Sequence, residues 1–264
     1  MIQCEAISEQ FRHRGHVVIR QLFDLKQIIE LRIITERIYR LRTKQSFPSR
    51  LRSNKKTLDL FKKLEYFSGC QEHLKYLLDT IADERILSIL QCICDRQLLF
   101  NGVVYFFSPT GTSWRGDWHR DGQIIAPNDD VEKIRIFSSS FIRVHLALIN
   151  DNFLEIVPGS HLRWDNPQEL AIRKGFGKSM NSNDMPCSQR IWLEPGDAVF
   201  FDGYSIHRGN YFADRPRRML AMLYGSPVDW FTPSFECRVE SKVVDYLSLS
   251  QKVLFQYLLS SDKD

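Results

Sequence analysis

Apolar residues in the first third of the chain recur with the spacing of a helix. In residues 25–42 the pattern predicts one helix. The residues that define its apolar side are Leu25, Ile28, Ile29, Ile34 and Ile38. A polar loop over 43–57 follows, and residues 58–95 then predict two further helices, broken near Gly69. We therefore expect a mainly helical support over residues 1–96.

The pattern changes at Gln97, where short runs of β-branched and aromatic residues are separated by Gly, Pro, Asn and Asp. Such runs predict strands. They cover residues 97–108, 139–150, 153–161, 190–203 and 217–226. Repeated short strands of this kind indicate a sandwich or a barrel. Residues 243–264 predict a closing amphipathic helix. We expect an α+β chain forming one domain over 1–264, with the β core at 97–226 and a C-terminal helical segment at 227–264.

Composition is that of a soluble globular protein. The chain has 264 residues, of which 43% are hydrophobic and 26% charged, enough to bury a sizeable core. No apolar run approaches the roughly 20 residues that span a bilayer. The first residues lack the basic-then-apolar layout of a signal peptide. We expect a cytoplasmic protein with no membrane partner. The six cysteines are scattered, so free thiols are the favoured interpretation.

The basic residues do not outline a nucleic-acid surface. Net charge is +4, and local bunching occurs over 40–56 and in "DRPRRM". A nucleic-acid footprint would be denser and interleaved with aromatic residues. We interpret the first cluster as a solvated loop, and we do not expect a nucleic-acid partner. The sequence leaves the oligomeric state open.

The stretch "DWHRDGQ" places a histidine two residues before a carboxylate. Because side chains on a strand alternate between its faces, His119, Asp121 and Gln123 are expected on one side. An imidazole and a carboxylate are two thirds of the facial triad that binds Fe(II). Alone the tripeptide is weak evidence. His207, which ends an apolar strand 86 residues after Asp121, is the natural third ligand.

Two other strands carry polar residues where a core is expected. Arg218 begins a strand on which it shares a face with Leu220, Met222 and Tyr224. A buried guanidinium needs an anionic partner, which a dicarboxylate could supply, although Arg215 and Arg217 are also candidates. On the strand around residues 141–149, Arg143 and His145 share the other face. We expect one of them to line a wet pocket; for His145 a hydrogen-bonded core histidine is the alternative.

Taken together, these motifs resemble the phytanoyl-CoA dioxygenase family of Fe(II)/2-oxoglutarate oxygenases. The resemblance runs from about Gly15 to about Gly225. The family pattern is His-x-Asp, a Pro-Gly-Ser/Thr-His turn, a distal histidine and an arginine eleven residues later. Its counterparts here are His119 with Asp121, "PGSH" at 158–161, His207, and Arg218 at the matching separation. That separation selects Arg218 from its basic neighbours.

The resemblance implies a double-stranded β-helix core of the jelly-roll or cupin-like type, with Fe(II), 2-oxoglutarate and O2 as cofactors. The implied metal ligands and catalytic centre are His119, Asp121 and His207. The implied co-substrate contacts are Arg218, which binds the distal carboxylate, with His145, Asn101, Tyr105 and Gln123. Candidate substrate contacts are Arg143, Phe107 and Phe137. His161 of the Pro-Gly turn is interpreted as structural.

The resemblance implies hydroxylation of an unactivated carbon of a small molecule, with release of succinate and CO2. Related halogenases replace the metal carboxylate with a small residue, so Asp121 favours hydroxylation. A specialised metabolite is the expected substrate. One departure is Gly209, where many members carry serine or threonine near the co-substrate. Two alternatives stay open: a jelly-roll binding module that has lost its chemistry, and a nucleic-acid or protein demethylase with the same iron chemistry.

Overall fold

Helices precede and follow a two-sheet β core. The computed structural model describes residues 4–45, 57–61, 64–107, 113–124, 126–138, 140–177, 181, 183–227 and 247–259. The helices are α1 (Cys4–Arg14), α2 (Leu25–Gln45), α3 (Gln71–Ile81), α4 (Glu84–Ile93), α5 (Asp129–Ser138), α6 (Pro167–Lys174), α7 (Leu249–Leu254) and α8 (Gln256–Leu259). Short 3-10 turns cover Leu64–Phe67, Asp121–Ile124 and Ser160–Leu162.

The described strands form two antiparallel sheets. They are β1 (His16–Ile19), β2 (Thr57–Asp59), β3 (Leu99–Phe107), β4 (Trp114–Arg115), β5 (Phe141–Ala147), β6 (Leu154–Ile156), β7 (Gln189–Arg190), β8 (Ala198–Asp202), β9 (His207–Tyr211) and β10 (Arg218–Gly225). The large sheet has the order β1-β8-β5-β10-β3-β2, and the small sheet has the order β4-β9-β6-β7. The two sheets pack as a jelly-roll sandwich, the fold class that the sequence predicted.

One face of the large sheet packs against the helices. Leu220, Val144 and Val103 belong to a single apolar cluster that also contains buried residues of α2, α3 and α4. On α2 the buried positions include Ile28, Leu31, Ile34 and Ile38, as the helical spacing requires. The opposite face meets the small sheet, where Met219, Phe201 and Ile156 form a second cluster. The sheet is therefore buried on both sides.

The segment predicted as two helices over 58–95 differs from expectation at its start. Residues Thr57–Asp59 form β2, which pairs with β3 and closes one edge of the large sheet. The two helices of this segment, α3 and α4, both follow Gly69 and are separated at Ala82 and Asp83. Ala82 caps the end of α3, and Asp83 caps the start of α4, because the Asp83 side chain accepts a hydrogen bond from the Arg85 amide. Most of the predicted 43–57 loop lies outside the described residues.

The expectation of free thiols is wrong for two cysteines. Cys4 and Cys92 form a disulfide that joins α1 to α4. Cys70, Cys94 and Cys187 are free, and Cys237 lies outside the described residues. Spacing could not reveal this pair because 88 residues separate the two cysteines, and only packing of the two helices brings them together. Among the described helices, none combines the length and apolar character needed to cross a bilayer.

Candidate metal centre and co-substrate cavity

Three side chains meet where the two sheets approach each other. His119 and His207 exchange backbone hydrogen bonds of 3.0 Å in each direction, so the two imidazoles lie side by side with ring centroids 4.3 Å apart. Asp121 Oδ1 lies 3.9 Å from Nε2 of His119 and 3.8 Å from Nε2 of His207. One donor atom from each residue falls within 4.8 Å of the others. His119, Asp121 and His207 form a metal-binding triad.

Each histidine is held with the same nitrogen toward Asp121. Nδ1 of His119 lies 2.8 Å from the Asp117 carbonyl, and Nδ1 of His207 lies 2.9 Å from the Ser205 carbonyl. A carbonyl can only accept, so each Nδ1 carries the proton and donates it. Each Nε2 is then the unprotonated nitrogen that a metal ion binds. The backbone thereby selects the ligand tautomer.

Burial and charge keep these ligands in their metal-binding protonation states. Burial, together with the neighbouring His119, lowers the pKa of His207 to about 3. Burial alone would raise the pKa of Asp121, but the Arg143 guanidinium and His207 bring that pKa below its ordinary value. A neutral imidazole and an ionised carboxylate are the forms that ligate a divalent cation. Two imidazoles and one carboxylate suit iron(II) and leave coordination positions open.

Asp121 is fixed by close packing as well as by charge. Its amide donates to the Gly203 carbonyl at 2.8 Å. Any Cβ at Gly203 would lie 2.7 Å from Asp121 Oδ2 and 2.5 Å from the Phe141 ring. Glycine is therefore required at 203 for the carboxylate to occupy its place.

Arg120, between the two ligands in sequence, is fully buried and faces away from the cavity. Its guanidinium donates to Asp165 Oδ1 from Nε at 3.0 Å and from Nη2 at 2.6 Å. It also donates to the carbonyls of Ser160 and Tyr204. Since Ser160 belongs to the Pro-Gly turn and Tyr204 precedes His207, one side chain ties all three motif segments together.

The triad opens into a cavity of about 450 Å³. Its polar lining residues include Arg143, His145 and Arg217, and its aromatic and aliphatic lining residues are Phe106, Trp114, Leu154 and Tyr211. Arg217 is 1% exposed. It donates from Nε to Asp151 Oδ2 at 3.0 Å and from Nη1 to the Tyr211 hydroxyl at 3.3 Å. A cation thus lies in the same cavity as the metal ligands, where it can pair with a carboxylate of a bound dicarboxylate.

A family model for phytanoyl-CoA dioxygenase (PhyH) matches residues 11–219. The chain belongs to the phytanoyl-CoA dioxygenase family. It is an iron- and 2-oxoglutarate-dependent oxygenase, with the His119–Asp121–His207 triad as its metal site. Among proteins of curated function no sequence match was found.

Solved structures share the fold of this oxygenase. AviO1 from Streptomyces viridochromogenes Tue57 superposes with a TM-score of 0.61 at 17% identity, covering 86% of this chain and 97% of that chain. HygX from Streptomyces hygroscopicus, solved with nickel and 2-oxoglutarate, has a TM-score of 0.59 at 16% identity, with 83% and 86% covered. The epimerase SnoN from nogalamycin biosynthesis, solved with Fe3+, alpha ketoglutarate and nogalamycin RO, has a TM-score of 0.56 at 16% identity, with 84% and 83% covered.

The arginine chosen from the family spacing does not reach the cavity of this phytanoyl-CoA dioxygenase homologue. Arg218 pairs with Glu36 of α2, on the helix side of the sheet. Alternation along the strand correctly placed Arg217 and Arg218 on opposite faces. The prediction that the face of Arg218 lines the cavity is wrong. The apolar residues that share a face with Arg218, such as Leu220, pack on the helices, so Arg217 is the side chain that points inward.

His145 lines the cavity together with Arg143 and Arg217. It is 5% exposed and packs edge-on against Phe201, with ring centroids 4.9 Å apart. Neither ring nitrogen has a hydrogen-bond partner among the described residues. Burial, followed by Arg217 and Arg143, lowers the pKa of His145 well below its ordinary value. A neutral imidazole that faces a cavity with both nitrogens unpaired fits a site for a polar ligand.

Tyr105 and Asn101, two more residues predicted to contact the co-substrate, lie on β3 and outside the cavity. Tyr105 faces the helices, and its hydroxyl donates to Glu36 Oε1 at 2.9 Å. Asn101 occupies a bulge, where the pairing of β10 shifts between Leu223 and Tyr224, and its amide lies beside Gly225. Neither lines the cavity, because the bulge and the strand alternation direct both side chains away from the triad.

The remaining predicted contacts are also outside the cavity. Asp121 starts a 3-10 turn rather than continuing a strand, so Gln123 turns away and accepts from Arg173 Nη1 at 2.5 Å. Phe107 packs against Tyr39 on the helix side. Phe137 is 63% exposed on α5. His161 is buried at the Pro-Gly turn, where Nε2 lies 3.2 Å from the Arg12 carbonyl.

Sequence reasoning missed Tyr211 and Trp114. Tyr211 could have been found, because it lies four residues after His207 on one strand and so shares its face. Trp114 gave no such signal, since β4 is only two residues long and is placed by pairing with β9. Gly209, between His207 and Tyr211, adjoins the arginine: a Cβ there would lie 3.4 Å from Arg217 Nη1. Gly209, where many family members carry serine or threonine, therefore lies beside Arg217, the cation that lines the cavity.

Proposed function

We propose that this oxygenase hydroxylates an unactivated carbon of a small molecule of specialised metabolism and releases succinate and CO2. The observation that carries the proposal is the meeting of the His119–Asp121–His207 triad and the buried cation of Arg217 in one cavity of about 450 Å³. A cavity of this size suits a co-substrate and part of a small substrate. An inactive binding module would have no use for a complete ligand set.

Arg217 is the residue that we propose to hold the distal carboxylate of 2-oxoglutarate. Its guanidinium is fixed by Asp151 and Tyr211 and lies over the Phe106 ring, with 4.6 Å from the guanidinium carbon to the ring centroid. A guanidinium held in place loses little freedom when it binds a carboxylate. His145, next to it, can donate one ring N–H to the same ligand. Iron(II) bound with 2-oxoglutarate and O2 supplies the oxidising power, and the chain supplies position and exclusion of water.

The substrate is proposed to enter past Trp114. This side chain is 47% exposed at the cavity edge and stacks on Tyr211, with ring centroids 5.3 Å apart. An exposed indole on a rigid aromatic support is a platform for a flat or apolar surface of a ligand. Arg143 is paired with Asp121, and Arg217, paired with Asp151, is the group proposed for the distal carboxylate of 2-oxoglutarate, so neither guanidinium is left for the substrate. The described walls therefore favour a substrate with an apolar face over a strongly anionic one.

Hydroxylation, as the type of reaction, is the most specific part of the proposal. Similar folds include an epimerase and a carbocyclase from nogalamycin biosynthesis as well as an enzyme solved with 5-hydroxyectoine. Hydroxylation adds one oxygen atom, epimerisation leaves the mass unchanged, and ring closure removes two hydrogen atoms. Product mass therefore separates the three outcomes.

A succinate-release screen over candidate metabolites tests the proposed function. The native chain with iron(II) and 2-oxoglutarate should release succinate faster with the right metabolite, and the product should have gained one oxygen atom. His119→Ala is the matched control and should release none. Absence of metal-dependent 2-oxoglutarate binding, seen as a missing charge-transfer absorption under anaerobic conditions, would favour the inactive module. Salt-sensitive oligonucleotide binding would instead favour a demethylase.

A further inference from the structure

Arg143 makes a two-point contact with the metal-binding carboxylate. Its Nε donates to Asp121 Oδ2 at 2.6 Å, and its Nη2 donates to Asp121 Oδ1 at 2.7 Å. The Arg143 side chain is 16% exposed and that of Asp121 is 5% exposed. Arg143 lies on β5, and its side chain lines the cavity together with that of His145. Both carboxylate oxygens are thus engaged by one guanidinium.

The guanidinium and a metal ion would contact the same oxygen. Asp121 Oδ1 is the atom near Nε2 of both histidines, at 3.9 and 3.8 Å, and it is also the acceptor for Arg143 Nη2. Oδ2 lies on the other side, against Gly203, and is held by Arg143 Nε. A metal at the triad would therefore lie close to a fixed positive charge.

Charge in the cavity is balanced before any ligand enters. Asp121 neutralises Arg143, and Asp151 neutralises Arg217. The remaining carboxylate among the described lining residues belongs to Asp117, which is exposed and screened by solvent. A divalent cation alone adds two positive charges beside Arg143, whose repulsion is strong at short range in a partly buried site. A divalent cation together with the 2-oxoglutarate dianion adds none.

We infer that Arg143 is a positioning residue that makes metal binding depend on 2-oxoglutarate, by opposing an unaccompanied cation while holding Asp121 for coordination. This inference rests on the proposed function, because it takes 2-oxoglutarate as the dianion. It replaces the expectation that Arg143 contacts the substrate, since Nε and Nη2 donate to Asp121.

Cobalt(II) titration of the 264-residue chain, with and without 2-oxoglutarate, tests the coupling. The measured quantity is the ratio of the two cobalt dissociation constants. Chelation by the co-substrate contributes to this ratio in every variant, so only the difference between variants reports on Arg143. In Arg143→Gln we expect cobalt alone to bind about tenfold more tightly and the ratio to fall about tenfold. Arg143→Lys, which keeps the charge, should retain most of the ratio.

Arg218→Gln is the matched control. It removes an arginine of the neighbouring strand that faces the helices, so its ratio should equal that of the native chain. If Arg143→Gln loses cooperative thermal unfolding, Arg143→Met carries the same expectation, because its long apolar side chain also removes the charge.

Two results would overturn the inference. One is an unchanged ratio in the neutral variants, whether or not substrate affinity falls. The other is cobalt alone binding no more tightly in the neutral variants than in the native chain, which would make Arg143 a support for Asp121 and nothing more. Native chain that binds no cobalt even with 2-oxoglutarate would overturn the proposed function itself, and the role of Arg143 with it.

Discussion

The two faces of the large sheet are built from the same strands but differ in chemistry: one is apolar, and the other combines an apolar cluster with the charged cavity. Toward the helices, β5 and β10 present Val144, Leu220 and other apolar side chains in one continuous cluster. Toward the small sheet, Arg143 of β5 and Arg217, which directly precedes β10, line the cavity. The comparison teaches that adjacent residues in this sequence belong to different parts of the protein, one structural and one functional.

The two faces are also stabilised differently. The helix face depends on apolar burial and close packing, so its stability scales with the area removed from water. The cavity face depends on a smaller apolar cluster and also on ion pairing: Arg217 with Asp151 and Arg143 with Asp121. Breaking one member of a buried pair leaves an uncompensated charge. Changes on the two faces should therefore be separable by experiment.

Loss of a metal ligand is the largest expected effect. His207→Ala removes one of the two imidazole ligands, so we expect iron retention and succinate release to fall to background. Iron content after gel filtration and succinate release measure this. Tyr224→Phe, on the helix face, loses a 2.7 Å hydrogen bond to the Ile81 carbonyl and a 3.7 Å contact with Met222 Sδ, and it should keep iron. Native-level iron in His207→Ala would refute the triad.

The two adjacent arginines give the sharpest test of the comparison. Arg217→Gln should raise the 2-oxoglutarate concentration for half-maximal rate by on the order of 100-fold or more, because charge-assisted hydrogen bonds are lost. Arg218→Gln should leave it close to native. An equal increase in the 2-oxoglutarate requirement of both variants would mean that the two faces of the sheet do not differ in co-substrate binding. Because Arg217→Gln strands the buried Asp151, the double variant with Asp151→Asn should recover stability without recovering co-substrate affinity.

The converse test removes apolar volume from the helix face. Leu220 is fully buried, so Leu220→Ala should lower the free energy of unfolding by about 2 to 4 kcal/mol through the cavity that it creates. Urea denaturation measures this. At a temperature where the variant is folded, its 2-oxoglutarate requirement should be unchanged. A large loss of co-substrate affinity would show that the helix face also shapes the cavity.

The smallest expected effect is a pH dependence of stability caused by the buried His161 of the Pro-Gly turn. Burial lowers the pKa of His161 to about 4, below its ordinary value near 6.5. The unfolded chain then binds a proton more readily, so stability is fully present above about pH 6.5 and declines as pH falls toward 4. We expect His161 to contribute about 1 to 2 kcal/mol of the loss between about pH 7.5 and 5. Urea denaturation should show that the free energy of unfolding of His161→Gln declines less steeply with falling pH than that of the native chain. An identical decline in both would assign the loss of stability to other buried histidines.

Much of the site could be predicted because local patterns carry it. His119, Asp121 and His207 stand in motifs that are recognisable in one dimension, and the apolar spacing of α2 and of the strands indicated helices backing a β core. The disulfide between Cys4 and Cys92 could not be predicted, since it depends on how α1 meets α4. Gln123 was misplaced because a 3-10 turn replaced the expected strand after Asp121.

The sequence by itself determined the ligand set, the strand alternation and the class of fold, because each is a matter of residue type and short-range periodicity. Only the tertiary structure decided which face of β10 meets the cavity, and hence that Arg217 points inward while Arg218 pairs with Glu36. Alternation is symmetric: it sorts side chains into two sets but carries no information on what packs against either. The helices and the small sheet supply that information when they cover the two faces.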